Sequence, residues 1–477
     1  MRKTKIVCTL GPATDGEGVL REMMLAGMNV ARFNFSHGTH PEHKARLEQV
    51  KALRKELGLP VAAMLDTKGP EVRLKNFAGG SVTLQEGQEF TLTVEDVEGD
   101  ATRCAVTYAE LPQDVKAGDT ILLDDGLVRL TVLSTTASAI RCRVENGGVM
   151  KDHKGVNVPG VSLSMPYMSQ QDREDILFGM EEGFDFIAAS FVRSAADIRE
   201  LRALLDSVGS SIRIIAKIEN QEGVSNLAEI LDAADGIMVA RGDMGVEIPA
   251  EKVPHIQKMI IRKCNLACKV VITATQMLDS MIRNPRPTRA EVSDVANAVY
   301  EGTDAVMLSG ETAMGSYPIE AVRMMSQIAE ESEKYLDYMF YQRRKVSAEN
   351  LRNISNTVCY SSVATASDLE APVIVAPSVS GFTTRMLSKW RPKALIAGLS
   401  PSMTAVRQMQ LYWGVKPFHA KRAESTDALL FASVELLKEK GIVKEGQIVV
   451  ATAGVVTRAN RHEPVADTNI MRVMVVE

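Results

Sequence analysis

Long apolar runs are absent from this sequence. No stretch of its 477 residues approaches the ~20 consecutive apolar residues that a helix needs to cross a bilayer. Residues 1–7 lead directly into a strand-like segment and lack the apolar core of a signal peptide. Basic residues are not in excess either, because the formal net charge is −5. These absences argue against a membrane protein and against general nucleic-acid binding, so we expect a cytoplasmic enzyme.

Cysteines are few and scattered. The chain has six, and only Cys264 and Cys268 lie close together, at the i,i+4 spacing of a helix and with no second Cys or His pair nearby. A disulfide framework or a zinc site requires clusters at defined spacing. We therefore expect reduced, structural thiols.

The common nucleotide-binding loops are also missing. The sequence contains no G-x-x-x-x-G-K-[ST] loop, no G-x-G-x-x-G fingerprint and no signature motifs of protein kinases. Any phosphoryl transfer by this chain must therefore use a different scaffold.

What the sequence does contain is a regular alternation of strand-like and helical segments. Eight short β-type runs, separated by amphipathic helical segments, predict an α/β fold built on a closed (β/α)8 TIM barrel. The eight runs are residues 6–9, 29–33, 61–65, 184–189, 213–218, 237–240, 270–275 and 305–308.

Two regions depart from the barrel pattern. Between residues 70 and 166, short alternating strands and Gly–Asp turns predict an inserted small β-barrel that could act as a lid, or serve a purely structural role. Residues 1–69 and 167–343 would then form the catalytic barrel. Residues 344–477 return to strand–helix alternation, which favours a C-terminal open α/β domain for regulation or oligomerisation. The strands predicted outside the barrel are 81–84, 89–94, 120–123, 139–144, 373–376, 394–397, 447–452 and 471–476.

Polar side chains follow three successive barrel strands. Lys217 and Glu219 stand two positions apart at a strand end, so they should point to the same side. Asp243 and Thr275 follow the next two strands at steps of 26 and 32 residues, about one strand-plus-helix unit each. Barrel enzymes keep their chemistry at such carboxyl ends. Two carboxylates beside a lysine suit a magnesium ion that holds a phosphorylated, anionic substrate.

Other polar groups at strand ends leave more than one interpretation open. The guanidinium of Arg32 can bind phosphate through two parallel N–H···O hydrogen bonds, or it can form a salt bridge that closes the barrel. Gly242 leaves backbone N–H groups open beside Asp243, which can hold an anion or simply form a tight turn. Four further residues could offer oxygens to a weakly hydrated monovalent cation. They are Asn34, Ser36, Asp66 and Thr67.

Long segments of the chain resemble the pyruvate kinase family. The resemblance covers essentially all of the first 320 residues in order, and more loosely the C-terminal region. The segments include TKIVCTLGP (4–12), GMNVARFNFSHG (27–38), DTKGPE (66–71) and AKIEN (216–220), with 239–249, 273–278 and 284–312. The resemblance implies phosphoryl transfer from phosphoenolpyruvate to ADP, giving pyruvate and ATP in the last step of glycolysis, by a homotetramer.

The resemblance also implies roles for the matching positions. Arg32 would hold the substrate phosphate, and Lys217 would neutralise charge on the phosphoryl group during transfer. Glu219 and Asp243 would bind Mg²⁺ or Mn²⁺, and Thr275, with hydroxyls such as that of Ser309, is a candidate for relaying a proton to enolpyruvate. The remaining implied contacts are Gly242, Asp243 and Thr275 with the substrate carboxylate, Asn34, Ser36, Asp66 and Thr67 with K⁺, and Arg73 and Lys154 with nucleotide phosphates.

The residue at position 71, a glutamate in this sequence, indicates whether the activity requires a monovalent cation. Family members that resemble this chain at Glu71 need potassium, whereas potassium-independent members carry lysine there. The resemblance therefore predicts potassium dependence.

A loop in the C-terminal region predicts an effector site. It follows a strand and opens a helix, a place where backbone N–H groups can hold a phosphate. Phe382 stands where relatives activated by sugar phosphates commonly carry a basic residue, and the second effector-loop region, 454–469, lacks the family's Trp. We expect a phosphorylated allosteric effector of open identity, with a subunit-contact role as the alternative. The residues concerned are Ser378, Ser380, Gly381, Thr383 and Thr384 in the first loop, and Arg458, Arg461 and His462 in the second.

Two other functions compete with the kinase. A barrel lyase acting on a magnesium-bound enolate of the pyruvate or phosphoenolpyruvate type could share the carboxylate pair, but has no need of Lys217 with Arg32, a monovalent site or an ADP-contacting lid. A catalytically silent binding protein on the same fold should have lost one of four polar residues, and none is missing. They are Arg32, Lys217, Glu219 and Asp243. The chain ends at Glu477, and we expect no additional C-terminal domain of the kind some bacterial relatives carry.

Overall fold

The barrel is built from eight parallel strands in two blocks of the chain. The computed structural model describes residues 1–338, 353–454 and 468–477. In it the eight strands close in the order β1-β16-β15-β14-β13-β12-β3-β2. They are β1 Lys5–Thr9, β2 Val30–Asn34, β3 Ala62–Asp66, β12 Phe186–Ala189, β13 Arg213–Ile218, β14 Gly236–Ala240, β15 Val270–Ala274 and β16 Ala305–Leu308. The predicted barrel is confirmed.

Strand alternation decides which side chains enter the barrel. On β13, Ile214 and Ala216 pack into the layer between strands and helices, whereas Ile215 packs with residues of the barrel interior. Side chains at positions 215, 217 and 219 share a face by the two-residue period of a strand. Lys217 and Glu219 therefore continue the interior-facing row at its carboxyl end.

Helices surround the barrel and cover the C-terminal sheet. Many begin with a capping box, as at Ser169, Ser194 and Thr288, whose hydroxyls accept backbone N–H bonds that the first turn would otherwise leave unsatisfied. The described α-helices are α1 Val19–Ala26, α2 His40–Leu57, α3 Leu111–Asp114, α4 Gln170–Glu182, α5 Ala195–Asp206, α6 Gln221–Ser225, α7 Leu227–Ala233, α8 Arg241–Glu247, α9 Val253–Ala267, α10 Arg289–Glu301, α11 Gly310–Ala313, α12 Pro318–Lys334, α13 Ile354–Asp368, α14 Phe382–Lys389, α15 Met403–Gln408 and α16 Thr426–Glu439. None of these helices is both long and apolar enough to span a membrane.

The segment between β3 and α4 forms the inserted β structure. Its core is made of buried alternating residues such as Phe90, Leu92, Leu130 and Ile140. One sheet has six strands in the order β11-β7-β8-β9-β5-β6, and a two-stranded sheet pairs β10 with β4. The strands are β4 Ser81–Leu84, β5 Glu89–Thr93, β6 Arg103–Ala105, β7 Thr120–Leu123, β8 Val128–Thr135, β9 Ala139–Val144, β10 Gly148–Lys151 and β11 Val156–Asn157.

The C-terminal region forms an open α/β sheet, as predicted. Its order is β19-β18-β17-β20-β21, parallel except for β21, which runs antiparallel to β20. The strands are β17 Val373–Pro377, β18 Leu395–Ser400, β19 Val415–His419, β20 Ile448–Gly454 and β21 Thr468–Val475. The sequence analysis did not find β19, whose Pro417 weakens a strand pattern; proline is tolerated here because β19 is an edge strand.

Arginines tie the C-terminal region to the amino-terminal end of the barrel. Arg391 Nη1 lies 2.7 Å from Asp304 Oδ1, and both side chains are buried. Arg407 Nε lies 2.7 Å from Asp185 Oδ1, whose carboxylate is completely buried. Buried charges of this kind require their partners, because an unpaired one is strongly destabilising. The two regions are therefore joined at the end of the barrel opposite Lys217 and Glu219.

Candidate active site

Asp66 joins the two cations that the sequence placed at separate strand ends. Its Oδ2 accepts a 2.6 Å hydrogen bond from Arg32 Nε, and its Oδ1 lies 3.1 Å from Lys217 Nζ. Burial alone would raise the pKa of Asp66, but the charges of Arg32 and Lys217 lower it below its ordinary value. Asp66 is therefore a carboxylate that holds both cations in place. The side chain of Arg32 is fixed further by a 2.9 Å bond from Nη1 to Thr9 Oγ1.

Lys217 and Glu219 lie on the same side of β13, as the alternation predicted. Lys217 Nζ is 3.0 Å from Glu219 Oε1, and both groups are buried. Burial opposes the charge of Lys217, but Asp66 and Glu219 raise its pKa above the ordinary value. The ammonium therefore stays charged in the barrel mouth. Burial raises the pKa of Glu219, and the nearby charge of Asp243 adds to that effect.

The two carboxylates fit a divalent metal ion. Glu219 Oε2 accepts a 2.5 Å bond from the backbone N–H of Phe191. Glu219 Oε1, 3.0 Å from the Lys217 ammonium, is buried and accepts no hydrogen bond of good geometry from the described residues. A buried carboxylate oxygen left in that state is suited to a cation. Within the described residues there is no cluster of three or more His, Cys, Asp and Glu side chains that could hold a metal. A metal here would be ligated by Glu219, Asp243, water and substrate oxygens. Mg²⁺ is usually coordinated in this way, by one or two carboxylates together with water and substrate.

Thr275 sits in a strained turn that Arg241 holds in place. Thr275 and Gln276 have φ angles of 68° and 53°, in the left-handed region that side chains with a Cβ rarely adopt. Arg241 Nη2 donates a 2.7 Å bond to Thr275 O, and its Nη1 pairs with Asp294 at 2.7 Å. The backbone N–H of Gly242 donates to Thr275 Oγ1 at 2.7 Å. The structure thus brings Gly242 and Thr275 together, and here they bond to each other.

The four residues predicted for a monovalent cation lie together at the ends of β2 and β3. Asn34 and Asp66 are direct register partners, and Ser36 and Thr67 follow them. Some of their oxygens already accept hydrogen bonds: Asn34 Oδ1 from the N–H of Ser36 at 3.2 Å, and Thr67 Oγ1 from the N–H of Ser190 at 3.1 Å. The set therefore offers the expected oxygens in one place, next to Arg32 and Lys217.

A cavity of about 480 Å³ lies between the inserted β structure and the barrel mouth. Arg73 and Lys154 line it from the insert, and Asp243 lines it from the barrel. Each cation is already paired, Arg73 with Glu71 at 2.8 Å and Lys154 with Asp124 at 2.8 Å. The cavity therefore places two basic side chains from the insert in the same space as a candidate metal ligand.

Ser190 is a site residue that the sequence analysis missed. Its Oγ accepts a 2.7 Å hydrogen bond from Lys217 Nζ and donates to Thr67 O at 2.6 Å. The next residue, Phe191, has a φ of 52° and supplies the N–H that binds Glu219. A signal was present, because Ser190 directly follows a predicted barrel strand. Its contacts join segments far apart in sequence and could not be read from local pattern.

Ser309, proposed to assist a proton relay, lies at the end of β16. Its Oγ is buried and makes no hydrogen bond with the part of the chain that the structure describes, while its backbone N–H donates to Glu311 Oε2 at 2.7 Å. Burial raises the pKa of Glu311. A free hydroxyl is thus present in this part of the barrel mouth.

The residues of the predicted effector loop do not form one open cradle. Ser380 is exposed, whereas Ser378 is half-buried and its Oγ accepts a 3.4 Å bond from the backbone N–H of Thr383. Thr384 is fully buried and donates its hydroxyl proton to Gly381 O at 2.6 Å. The hydroxyl of Thr383 pairs with that of Thr468 at 2.8 Å. The second predicted group, Arg458, Arg461 and His462, lies outside the described residues.

Comparisons with known proteins agree with this architecture. The barrel-domain model of pyruvate kinase matches residues 1–322, and the alpha/beta-domain model of pyruvate kinase matches residues 356–474. The pyruvate kinase of Clostridium acetobutylicum is 48% identical over 480 residues and is covered completely, as is this chain. That of Geobacillus stearothermophilus is 51% identical over 483 residues, which span 100% of this chain and 80% of the relative.

A solved structure has the same fold throughout. The crystal structure of a pyruvate kinase from Cryptosporidium parvum is 37% identical, with a TM-score of 0.94 over 100% of this chain and 96% of that one. Together with the two family models and the relatives near 50% identity, this shows that the chain belongs to the pyruvate kinase family.

Proposed function

We propose that this enzyme transfers the phosphoryl group of phosphoenolpyruvate to ADP, giving pyruvate and ATP. The observation that carries the proposal is Lys217, held charged between Asp66 and Glu219, with Arg32 on the other side of Asp66. In the reaction the P–O bond to enolpyruvate breaks and a P–O bond to the terminal phosphate of ADP forms. Such transfer depends on positioning and charge neutralisation more than on covalent catalysis.

Each side chain then has a stated task. Arg32 binds the substrate phosphate, and Lys217 neutralises the charge of the phosphoryl group between the two oxygens. The backbone N–H groups at Gly242 and Asp243, with the Thr275 hydroxyl, bind the substrate carboxylate, which requires the bond between Gly242 and Thr275 to open. Thr275 is also the candidate donor for the proton that the carbon of enolpyruvate takes up.

Two cations complete the proposed site. Glu219 and Asp243 would hold Mg²⁺, or Mn²⁺ in its place, which when bound would neutralise the developing charge of the phosphoryl group. Asn34, Ser36, Asp66 and Thr67 would hold K⁺. The proposal of K⁺ dependence rests on Glu71, which in this structure pairs with Arg73.

The nucleotide is proposed to bind in the 480 Å³ cavity, with its phosphates on Arg73 and Lys154. Residues 70–166 would close over it as a lid on the barrel of 1–69 and 167–343. Residues 344–477 would serve regulation and assembly into a homotetramer in the cytoplasm. A phosphorylated effector is proposed to act through the loop of Ser378, Ser380, Gly381, Thr383 and Thr384.

The test couples phosphoenolpyruvate and ADP turnover to detection of both pyruvate and ATP, with Mg²⁺ and with or without K⁺. We expect the two products in equal amounts and a strong dependence on K⁺. A lyase acting on the enolate would form no ATP. No turnover with both cations present would contradict the proposal.

Lys217→Met tests the carrying observation. We expect kcat to fall by about 10²–10³-fold or more, since the charge on the phosphoryl group is no longer neutralised. Lys334→Met is the matched control, because Lys334 is an exposed lysine of α12 whose ion-pair partner among the described residues is Glu331. Equal turnover in the two variants would show that Lys217 has no role in the reaction.

A further inference from the structure

A second cavity lies where the amino-terminal end of the barrel meets the C-terminal region. It has a volume of about 250 Å³, and it is separate from the catalytic mouth. Arg202, Arg213 and Asp235 line it from the barrel. Ser380, Phe382 and Arg385 line it from the loop and first turn of α14. Three guanidinium groups therefore face one carboxylate.

The one carboxylate is already engaged. Asp235 Oδ2 pairs with Arg202 Nη2 and accepts a 2.8 Å bond from the backbone N–H of Ile214. In the described part of the chain, neither Arg213 nor Arg385 lies within ion-pair distance of any carboxylate. Arg385 Nε is buried and has no hydrogen-bond partner among the described residues. Among the residues that the structure describes, the cavity therefore carries more positive than negative charge.

Arg213 keeps donors available although it is firmly anchored. Its Nε binds Gln408 Oε1 at 2.9 Å, its Nη1 binds the Tyr412 hydroxyl, and its Nη2 binds Ser380 O at 2.7 Å. A guanidinium has five N–H groups, so two are left over after these three bonds to described residues. These contacts hold the fork rigid, which reduces the entropy that ligand binding would cost.

Nearby positive charge adds to the effect. Burial and the closeness of Arg385 lower the pKa of Lys269, whose ammonium donates to Ala234 O at 2.6 Å. The helix α14 begins at this cavity after Gly381, and in its first turn the backbone N–H of Thr383 donates to Ser378 Oγ at 3.4 Å. The amino-terminal end of a helix favours anions.

We propose that this cavity binds a phosphate dianion, either free or as the head of a small phosphomonoester. Planar guanidinium forks match phosphate oxygens, and the cavity has room for the phosphate with a short substituent. The site differs from the loop cradle predicted from sequence, because its charge comes from two barrel arginines together with Arg385. It deepens the effector part of the proposed function by naming the residues that hold the anion.

The position of Arg213 allows an anion bound in the cavity to influence the active site through strand β13. Arg213 is the first residue of β13, and Lys217 lies on the same strand. Its bond to Ser380 O joins that strand to the loop before α14. An anion between Arg213 and Arg385 would strengthen the connection between the C-terminal region and the catalytic strand.

The experiment is isothermal titration calorimetry of the full chain in phosphate-free buffer. The probes are inorganic phosphate and, separately, glycerol 3-phosphate. Arg385→Gln and Arg202→Gln each remove one guanidinium from the cavity. Arg323→Gln is the matched control, since Arg323 is an exposed arginine on α12 that pairs with Glu22. Lys217→Met is a second control, because it would weaken the binding of phosphate in the barrel mouth but not in this cavity.

We expect each cavity variant to weaken binding at least ten-fold, because hydrogen bonds to a charged group are lost, while Arg323→Gln and Lys217→Met keep the wild-type affinity. Preference for either probe supports the site and identifies free phosphate or the monoester as its ligand.

If Arg385→Gln does not fold, Arg202→Gln decides alone, since that side chain is one-third exposed. Wild-type affinity in the cavity variants, or no binding by the wild type at millimolar concentration, would overturn the site. If the wild-type protein failed to turn over phosphoenolpyruvate, the proposed function would be wrong, but the calorimetric test of the phosphate cavity would still stand.

Discussion

Lys217 and Asp66 form a buried ion pair across the barrel mouth, with 3.1 Å between Nζ and Oδ1. Their strands, β13 and β3, are not neighbours, because β12 runs between them. The pair therefore reaches past β12 and does not follow a hydrogen-bonded ladder between neighbouring strands. Since Asp66 also binds Arg32, one carboxylate sets the distance between the two cations that would meet the substrate phosphate.

Asp66→Asn should lower both stability and activity. The change keeps the size of the side chain but leaves Arg32 without its carboxylate and Lys217 with Glu219 alone. Removing one partner from a buried ion pair costs on the order of 3 kcal/mol. We expect a lower melting temperature by calorimetry, with a large fall in kcat/KM.

Asp96→Asn is the control for that experiment. Asp96 also pairs with a lysine, Lys75, at 2.9 Å, but its side chain is 89% exposed. Exposed ion pairs contribute little to stability. If the two variants lost stability equally, burial of the Asp66 network would not be the reason for its contribution.

Ser190→Ala should reduce kcat while leaving the protein folded. Ser190 touches no proposed substrate position, but its Oγ accepts a hydrogen bond from Lys217 Nζ, so it acts as a positioning residue. We expect kcat to fall by about ten-fold, the effect of one lost hydrogen bond to a charged group. The Michaelis constant for ADP should change little.

Rescue distinguishes positioning from a merely structural role. Ser190→Thr keeps a hydroxyl and should recover part of kcat, whereas Ser190→Ala should not. Ser207→Ala is the control, because Ser207 is an exposed serine whose Oγ donates to the backbone oxygen of Leu204 in its own helix turn. An unchanged kcat in Ser190→Ala would show that Lys217 needs no such partner.

Glu71→Lys should weaken the need for potassium. Glu71 now pairs with Arg73, and the substitution places an ammonium group at the edge of the catalytic cavity. We expect appreciable turnover without K⁺ and a smaller gain when KCl is added. Glu71→Gln separates loss of the carboxylate from gain of the cation, since it should stay K⁺-dependent. An unchanged KCl titration in Glu71→Lys would contradict the assignment.

The sequence predicted the barrel well because its strands have strong local signals. Runs such as residues 213–218 are apolar, β-branched and separated by amphipathic helices, and the placement of Lys217 and Glu219 follows from the two-residue period. The partners of those side chains could not be predicted in the same way. Ser190 meets Lys217 only through barrel closure, and the distance between the two positions in sequence carries no pairing information.

The C-terminal region was harder to predict for a related reason. Thr383 and Thr384 resemble a phosphate-binding loop in sequence, yet their hydroxyls are used by Thr468 and Gly381 in the folded chain. The arginine cavity beside them draws two of its cations from the barrel. Such a site exists only after the two regions pack, so no single segment of sequence contains its signal.

Lys5 should make stability depend on pH above neutrality. The side chain is only 6% exposed, and its ammonium donates to Val415 O at 2.5 Å. Burial lowers the pKa of Lys5 to about 7, with further lowering from the charge of Arg2. The unfolded chain has the ordinary pKa near 10.5, so between about pH 7 and 10.5 the unfolded state binds more protons than the folded one.

The sign of the effect follows from that difference. Stability rises with pH wherever the unfolded state binds more protons, so the contribution of Lys5 is most unfavourable below about pH 7 and is relieved as pH rises towards 10.5. We expect Lys5→Met to flatten the rise in melting temperature between these pH values. The measurement is differential scanning calorimetry across that range, with Lys55→Met, an exposed lysine near the end of α2, as control. Equal slopes in wild type and Lys5→Met would show that Lys5 stays charged when buried, with Val415 O as sufficient compensation.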